Sequence, residues 1–203
     1  MKRIFLPVAL MVISLTGCQE AEKPSSTPLL SEQELNDLLF TREEEKLAHD
    51  VYTYAFEKYG TSVFQNISRS ETQHIASVLQ LMDANKLTDP LNGSTSPGEF
   101  SDPVLKSLYA ELTSKVDQSL ADAIRAGLLI EDMDIQDLRL AVASTQKPEL
   151  IQLYEKLLCG SENHMRAFYR QAQLLGVEYT PAHLTQSEFD LIIQSETSSC
   201  QPN

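Results

Sequence analysis

Phe64 to Leu81 reads FQNISRSETQHIASVLQL. Phe64, Ile67, Glu71, His74, Val78 and Leu81 recur at the helical period, so one face is apolar except for a carboxylate and an imidazole. At i, i+3 these two groups project from the same side, one turn apart, close enough to share one ion. The same pattern extends outward in both directions. Upstream, Leu35, Leu38, Ala48, Tyr52 and Ala55 line a stripe, with Val51 and Phe56 beside it, and Glu45 falls within it. Downstream, Ile124, Leu128, Glu131, Ile135, Leu138 and Val142 form a third face, with Asp134 one turn after Glu131. Leu150, Leu153, Leu157, His164, Phe168, Ala172 and Leu175 form a fourth.

End signals bound these segments. A capping box of Ser31 and Glu34 starts the first helix, which should stop at Gly60. The second is expected from after Thr61 to about Ala84. A patternless stretch from about Asn85 to Pro103 is too long for a simple hairpin and predicts a crossover, decorated by a short helix near Val104 to Val116. The third long helix should run from Leu120 to Ser144, and the fourth from Pro148, a favourable first-turn proline, to about Gly176. Gly160 inside it costs about 1 kcal/mol relative to alanine, which close helix approach would justify. A second capping box, Thr185 with Glu188, opens a short last helix. No alternating run suggests a strand, so the fold class is all-α. The pattern predicts a four-helix bundle with a long crossover between its second and third helices and a short C-terminal helix.

Buried carboxylates are costly, by several kcal/mol, unless something replaces their hydration. Glu45, Glu71 and Glu131, with His74 and His164, either neutralise one another through hydrogen bonds or bind a cation. Any one of them alone would suit the edge of a stripe or a hydrogen-bonded core histidine. Four helices contributing in repeated order favour the cation. In addition, 26 residues separate Glu45 from Glu71 and 30 separate Glu131 from Ser161, which sets the groups at comparable heights. The metal-ligand candidates are Glu45, Glu71, His74, Glu131, Asp134 and His164. His49 is expected at the helix flank and His183 away from the site. Tyr52 and Tyr154 approach the core, where packing with a satisfied hydroxyl is the simpler role.

The chain ends carry a different message. Lys2 and Arg3 precede an apolar stretch, Ile4 to Leu15, too short to span a bilayer as a stable helix. Leu15-Thr16-Gly17-Cys18 resembles a bacterial lipobox. This implies a signal peptide over 1–17, lipidation of Cys18 and, with Gln19 following, outer-membrane anchoring that faces the periplasm. Residues 18–28, rich in proline and serine, read as a tether. The bundle should occupy 29–196 and a tail 197–203. Cys159 and Cys200 remain, an even pair that an oxidising compartment can join. Nothing in their spacing suggests a thiolate metal site. The formal charge of −13 argues against nucleic acid, which needs a basic face.

A family resemblance rests on Arg42-Glu43-Glu44-Glu45-Lys46-Leu47-Ala48, Asp50-Val51-Tyr52, Asn66-Ile67 and Ser70-Glu71 with His74. It continues through Gly127, Ile130-Glu131, Asp134-Ile135, Asp137-Leu138, Gly160-Ser161, Asn163-His164 and Arg166-Ala167-Phe168. With these motifs the chain resembles the ferritin-like superfamily, and more closely its branch called DUF2202. In rubrerythrin-like members a first-helix glutamate precedes alanine at +3 and tyrosine at +7. Glu45, Ala48 and Tyr52 fit, which selects Glu45 over Glu44. Glu71 and His74 match the second-helix motif and Glu131 the third-helix glutamate. The fourth helix departs from the pattern, with Ser161 where a glutamate is expected and Glu162 pointing about 100° away. Asp134 is the replacement ligand.

The resemblance implies iron, as one ion or a di-iron pair, with oxidation of ferrous iron or reduction of peroxide. The carboxylate and imidazole donors also suit manganese or zinc, and disfavour copper(I). A homodimer is compatible with it; a redox partner is not identified. The competing readings are a non-catalytic metal-binding module and an envelope scaffold or interaction protein that has lost its metal.

Overall fold

The computed structural model describes residues 30–200. The expected signal peptide, Cys18 and the tether lie outside the described residues. Six helices follow in order: α1 (Glu32–Tyr59), α2 (Ser62–Ala84), α3 (Pro103–Val116), α4 (Leu120–Ser144), α5 (Pro148–Leu175) and α6 (Gln186–Gln194). The described residues include no strand. No helix among them is long and apolar enough to cross a membrane.

Local chemistry sets the ends. Ser31 and Glu34 close a reciprocal capping box on α1, and Thr185 and Glu188 do the same on α6. Asp102 caps α3 ahead of Pro103, and the Ser119 hydroxyl accepts from the Asp122 N–H at the start of α4. Gly60 and Gly176 terminate α1 and α5 in the left-handed conformation, at φ of 63° and 65°.

The four long helices pack as a ring of neighbours: α1 on α2, α2 on α5, α5 on α4 and α4 on α1. Two apolar clusters fill the ring. One gathers Leu47, Val51, Tyr52, Phe64, Ile67, Ile124, Leu128, Met165 and Phe168, and the other Leu38, Val78, Met82, Leu138, Leu150, Tyr154 and Leu157. Along each helix the charged candidates fall between the clusters, so a polar layer divides the core. Each neighbouring pair in the ring traverses that layer in opposite directions, which makes adjacent helices antiparallel.

The expected stripes drift at their ends. Met82, rather than Leu81, is the buried residue of α2, and Ala141 that of α4 beside a half-buried Val142. Leu35 is half-buried and Leu175 is exposed. A helical turn of 3.6 residues carries a fixed pattern off the core face over several turns. Leu81 and Val142 still pack against the second apolar cluster from its edge.

The larger surprise is the middle of α1, where every residue from Thr41 to Ala48 is buried. Its outer side is covered by the connection between α2 and α3. Arg42 pairs with Asp89 at 3.3 Å. Glu43 accepts from the backbone N–H groups of Ser101 at 2.6 Å and Asp102 at 3.2 Å. Lys46 donates to Asp50 at 2.5 Å and to the Ser96 carbonyl at 2.8 Å, with its ammonium 4.8 Å from the centre of the Phe100 ring. Asp50 accepts from the Gly98 N–H at 3.0 Å. Charged side chains thus fasten the connection to α1 by supplying the acceptors and donors that its backbone needs.

The C-terminal segment is held in a similar way. Asp132 accepts from the Tyr179 hydroxyl and from the N–H groups of Ala182, His183 and Leu184. A disulfide joins Cys159 on α5 to Cys200, with Cα atoms 5.4 Å apart. Asn163 donates to the Ser198 carbonyl and accepts its N–H, and Arg166 donates to the Ile192 carbonyl and the Ser195 hydroxyl.

Candidate metal centre

Glu71 is the hub of the polar layer. One of its oxygens lies 2.8 Å from His74 Nδ1 and the other 2.9 Å from His164 Nδ1. His74 Nδ1 also donates to Glu45 Oε2 at 3.0 Å, and His164 Nδ1 stands 3.7 Å from Glu131 Oε2. The imidazoles stack with centroids 5.3 Å apart. Glu71, His74 and His164 each offer a donor atom within 4.8 Å of the other two. All six candidate ligands, Glu45, Glu71, His74, Glu131, Asp134 and His164, are buried in this layer.

Neighbouring groups orient the rings. His164 Nε2 bonds the Ser70 hydroxyl at 2.9 Å, which turns Nδ1 toward Glu71. His74 fits because Gly160 has no side chain: a Cβ there would sit 2.4 Å from His74 Nε2. This is the close approach that offsets the cost of a glycine inside α5. The Tyr52 hydroxyl donates to Glu131 Oε1 at 2.6 Å. Ser161, in the position where a glutamate was expected, donates its hydroxyl to Asp134 Oδ2. Glu162 instead turns outward to Arg139 at 3.4 Å.

Several polar atoms of the layer remain unsatisfied. Among the described residues, Glu45 Oε1, Asp134 Oδ1 and both oxygens of Glu44 meet no donor. Glu71 Oε2 and His164 Nδ1 touch their partners, yet neither contact has the direction of a hydrogen bond. Short contacts without that alignment are what donor atoms facing a shared cation would leave behind. The donor set fits a hard or borderline dication.

The electrostatics agree. Burial pushes the Glu45 carboxyl up to about 7, against the pull of His74. Burial, with Glu45 and Glu131 close by, raises Asp134 well above its ordinary range, and burial raises Glu131 too. Glu71 is also deeply buried, but the two imidazoles outweigh that and hold it below the usual carboxylate range. Burial opposes charge on both histidines. Even so, Glu45 and Glu71 hold His74 well above its ordinary value, and Glu71 and Glu131 lift His164 to about 10. Without a cation, the layer therefore retains protons.

The remaining expectations divide. His49 lies at the flank of α1, half-buried, with Nδ1 3.2 Å from Asp50, and His183 is exposed. Tyr52 has a satisfied hydroxyl. That of Tyr154 has no hydrogen-bond partner among the described residues, which corrects the expectation of one. Three groups escaped sequence reasoning: Ser70, which turns His164; Glu44, buried beside the layer; and Asp132, which anchors the segment before α6. Ser70 and Asp132 find their partners on distant elements, and no local spacing signals this.

An all-helical chain whose core is divided by buried carboxylates and imidazoles is thus defined as a class. Residues 34–196 match the model of the "Uncharacterized protein domain (DUF2202)", and the chain belongs to that family. It is 40% identical over 168 residues to the uncharacterized protein MJ0754 of Methanocaldococcus jannaschii, covering 83% of this chain and 90% of that protein. A crystal structure of hypothetical protein MJ0754 from Methanococcus jannaschii superimposes with a TM-score of 0.81, covering 83% of this chain and 96% of that one.

Proposed function

We propose that this protein is a ferritin-like four-helix bundle that holds one or two transition-metal ions, iron foremost, in its polar layer. The observation that carries this reading is Glu71, whose two oxygens meet two different imidazoles while buried donor atoms around it lack partners. Glu45 and His74 would serve one position, Glu131 and His164 a second, and Glu71 both. Asp134, steadied by Ser161, would supply the carboxylate that the fourth helix lacks. Iron bound there would supply one-electron chemistry for oxidising ferrous ions or reducing peroxide, with manganese and zinc as alternative occupants. Tyr52 would keep Glu131 oriented. Burial and the Glu131 carboxylate raise its phenol well above the ordinary value, so it stays a donor.

In the same reading the protein is exported and anchored through lipid on Cys18, facing the periplasm from the outer membrane. The Cys159–Cys200 disulfide suits an oxidising compartment. Elemental analysis of protein lacking the anchor, beside a Glu71→Ala, His74→Ala double variant, tests the centre. Stoichiometric metal lost in the variant supports it, and equal metal in both refutes it.

A metal-free envelope scaffold is the second reading, favoured by the self-pairing of Glu71 with two charged imidazoles. Its signature is a melting temperature indifferent to chelator.

A further inference from the structure

Outside the ligand set, Glu44 is the buried group with the least explanation. It is 2% exposed, and neither carboxylate oxygen meets a donor among the described residues. The charges that act on it are other carboxylates: Asp134 on the side of the metal layer, Asp137 on the recess between α1 and α4, and Glu45 beside it. Asp137 lies within hydrogen-bonding reach, but two carboxylates cannot bond without a shared proton or cation. Without a cation, a proton shared between Glu44 and Asp137 offsets the cost of burial, and a cation entering the site would displace it.

The surroundings show where that cation would come from. Asp137 is half-buried and lines a recess of about 430 Å³ between α1 and α4, together with Asp37, Thr41, Leu140 and Ser144. Thr41 precedes Glu44 by one turn of α1, and Asp137 follows Asp134 by one turn of α4. Along this seam the carboxylates step inward as Asp37, Asp137, Glu44 and Asp134, and the last of these borders Glu45 and Glu131. A larger groove of about 770 Å³ lies between α2 and α5. Its two carboxylates, Glu149 and Glu155, are exposed and stand beside Lys156 and the disulfide, so no buried carboxylate lines it.

We propose that Glu44, flanked by Asp137 and Asp134, is a transit site through which a divalent cation passes from the α1–α4 recess to the buried centre. The proposal rests on the metal-binding reading above. Carboxylates lining a low-dielectric passage concentrate cations and raise the rate at which they arrive. Glu44 has no role in holding the final ion, so its loss should alter the speed of loading and leave the capacity intact.

Stopped-flow loading of chelator-stripped protein with Co²⁺, followed by visible absorbance, tests this, with elemental analysis of the end point. Glu44→Gln should load at least about tenfold more slowly than the parent, with unchanged final cobalt. Asp137→Asn, at a half-exposed position that leaves the buried layer intact, should slow loading in the same direction. Glu149→Gln, in the α2–α5 groove, should load at the parental rate. Parental rates in both Glu44→Gln and Asp137→Asn would overturn the route. So would slowing confined to Glu149→Gln, or a lower cobalt content in Glu44→Gln, which would make Glu44 a ligand. A parent that takes up no cobalt refutes the metal-binding reading itself, a result separate from any of these.

Discussion

The two sides of α1 between Thr41 and Ala48 bury charge to different ends. On the outer side, Glu43, Lys46 and Asp50 each find complements at 2.5–3.2 Å on the connection that covers them or on one another. Arg42 faces the opposite charge of Asp89, although its Nε and Nη1 make no aligned hydrogen bond. On the inner side, Glu44 and Glu45 sit among further carboxylates, and three of their four oxygens meet no donor. Burial is equally complete on both sides. The difference lies in satisfaction. On the metal-binding reading, charge buried for architecture is paired within the chain, whereas charge buried for a ligand is left short of partners until the ligand arrives. The outer side should therefore control folding alone, and the inner side should control occupancy.

The largest effect expected from breaking this contrast is on the outer side. Lys46→Ala removes the ammonium and leaves Asp50 buried without its ion pair, which should cost about 3–5 kcal/mol in urea unfolding. Metal content per folded molecule should not change. A variant that loses metal while keeping its stability would dissolve the distinction between the two sides.

Next in size is the inner side's dependence on its ion. Because the native state alone presents the assembled donors, a dication at about a hundredfold its dissociation constant should stabilise the fold by about 2.7 kcal/mol. Calorimetric melting with and without chelator reads this directly. The Glu71→Ala, His74→Ala variant should melt at one temperature in both conditions.

A smaller effect should follow from Gly160→Ala. The added methyl would press on His74 Nε2 and displace the ring, while alanine favours the helix by about 1 kcal/mol. Metal affinity should fall about 10–100-fold, as for other groups that position a ligand, with apo stability little altered. Competition titration against a chromogenic chelator measures it. Unchanged affinity would mean that His74 is not a ligand.

What was legible in the sequence follows the same division between local and distant partners. Caps, helix ends and the recurrence of Glu71 with His74 are short-range patterns, and the helices fall within a residue or two of where those patterns place them. The crowding of Glu45, Glu71, His74, Glu131 and His164 into one layer followed from period and spacing, because each interrupts an apolar stripe at a comparable height. Asp134, in contrast, was expected beside its stripe. The burial of Arg42, Glu43 and Lys46 was not legible. Their partners lie 47 to 59 residues away and, for Glu43 and Lys46, include backbone groups of a segment with no periodicity. Glu44 was hidden for a related reason: one residue from Glu45 on the helix, it faces α4 while Glu45 faces α2. Only the packing of α4 against α1 reveals that it too is buried.

The finest test is the sign of the pH dependence. In the apo protein, Glu45 is raised to about 7 and His164 to about 10. Each contributes stability that is complete below its unfolded value and is lost as pH rises through its folded one. Glu71, held low, contributes above its unfolded value and loses that contribution only in acid. The apo melting temperature should therefore decline by a few degrees from about pH 5 toward pH 9. Metal binding requires neutral imidazoles and ionised carboxylates, so loading at pH 7 should release about two protons from His74 and His164, with more from Glu45. Calorimetric titration in buffers of different ionisation enthalpy counts them, and the loaded protein's stability should climb over the range where the apo protein's falls. Parallel slopes, or binding without proton release, would show that the ion sits elsewhere and that the inner charges of α1 are as architectural as the outer ones.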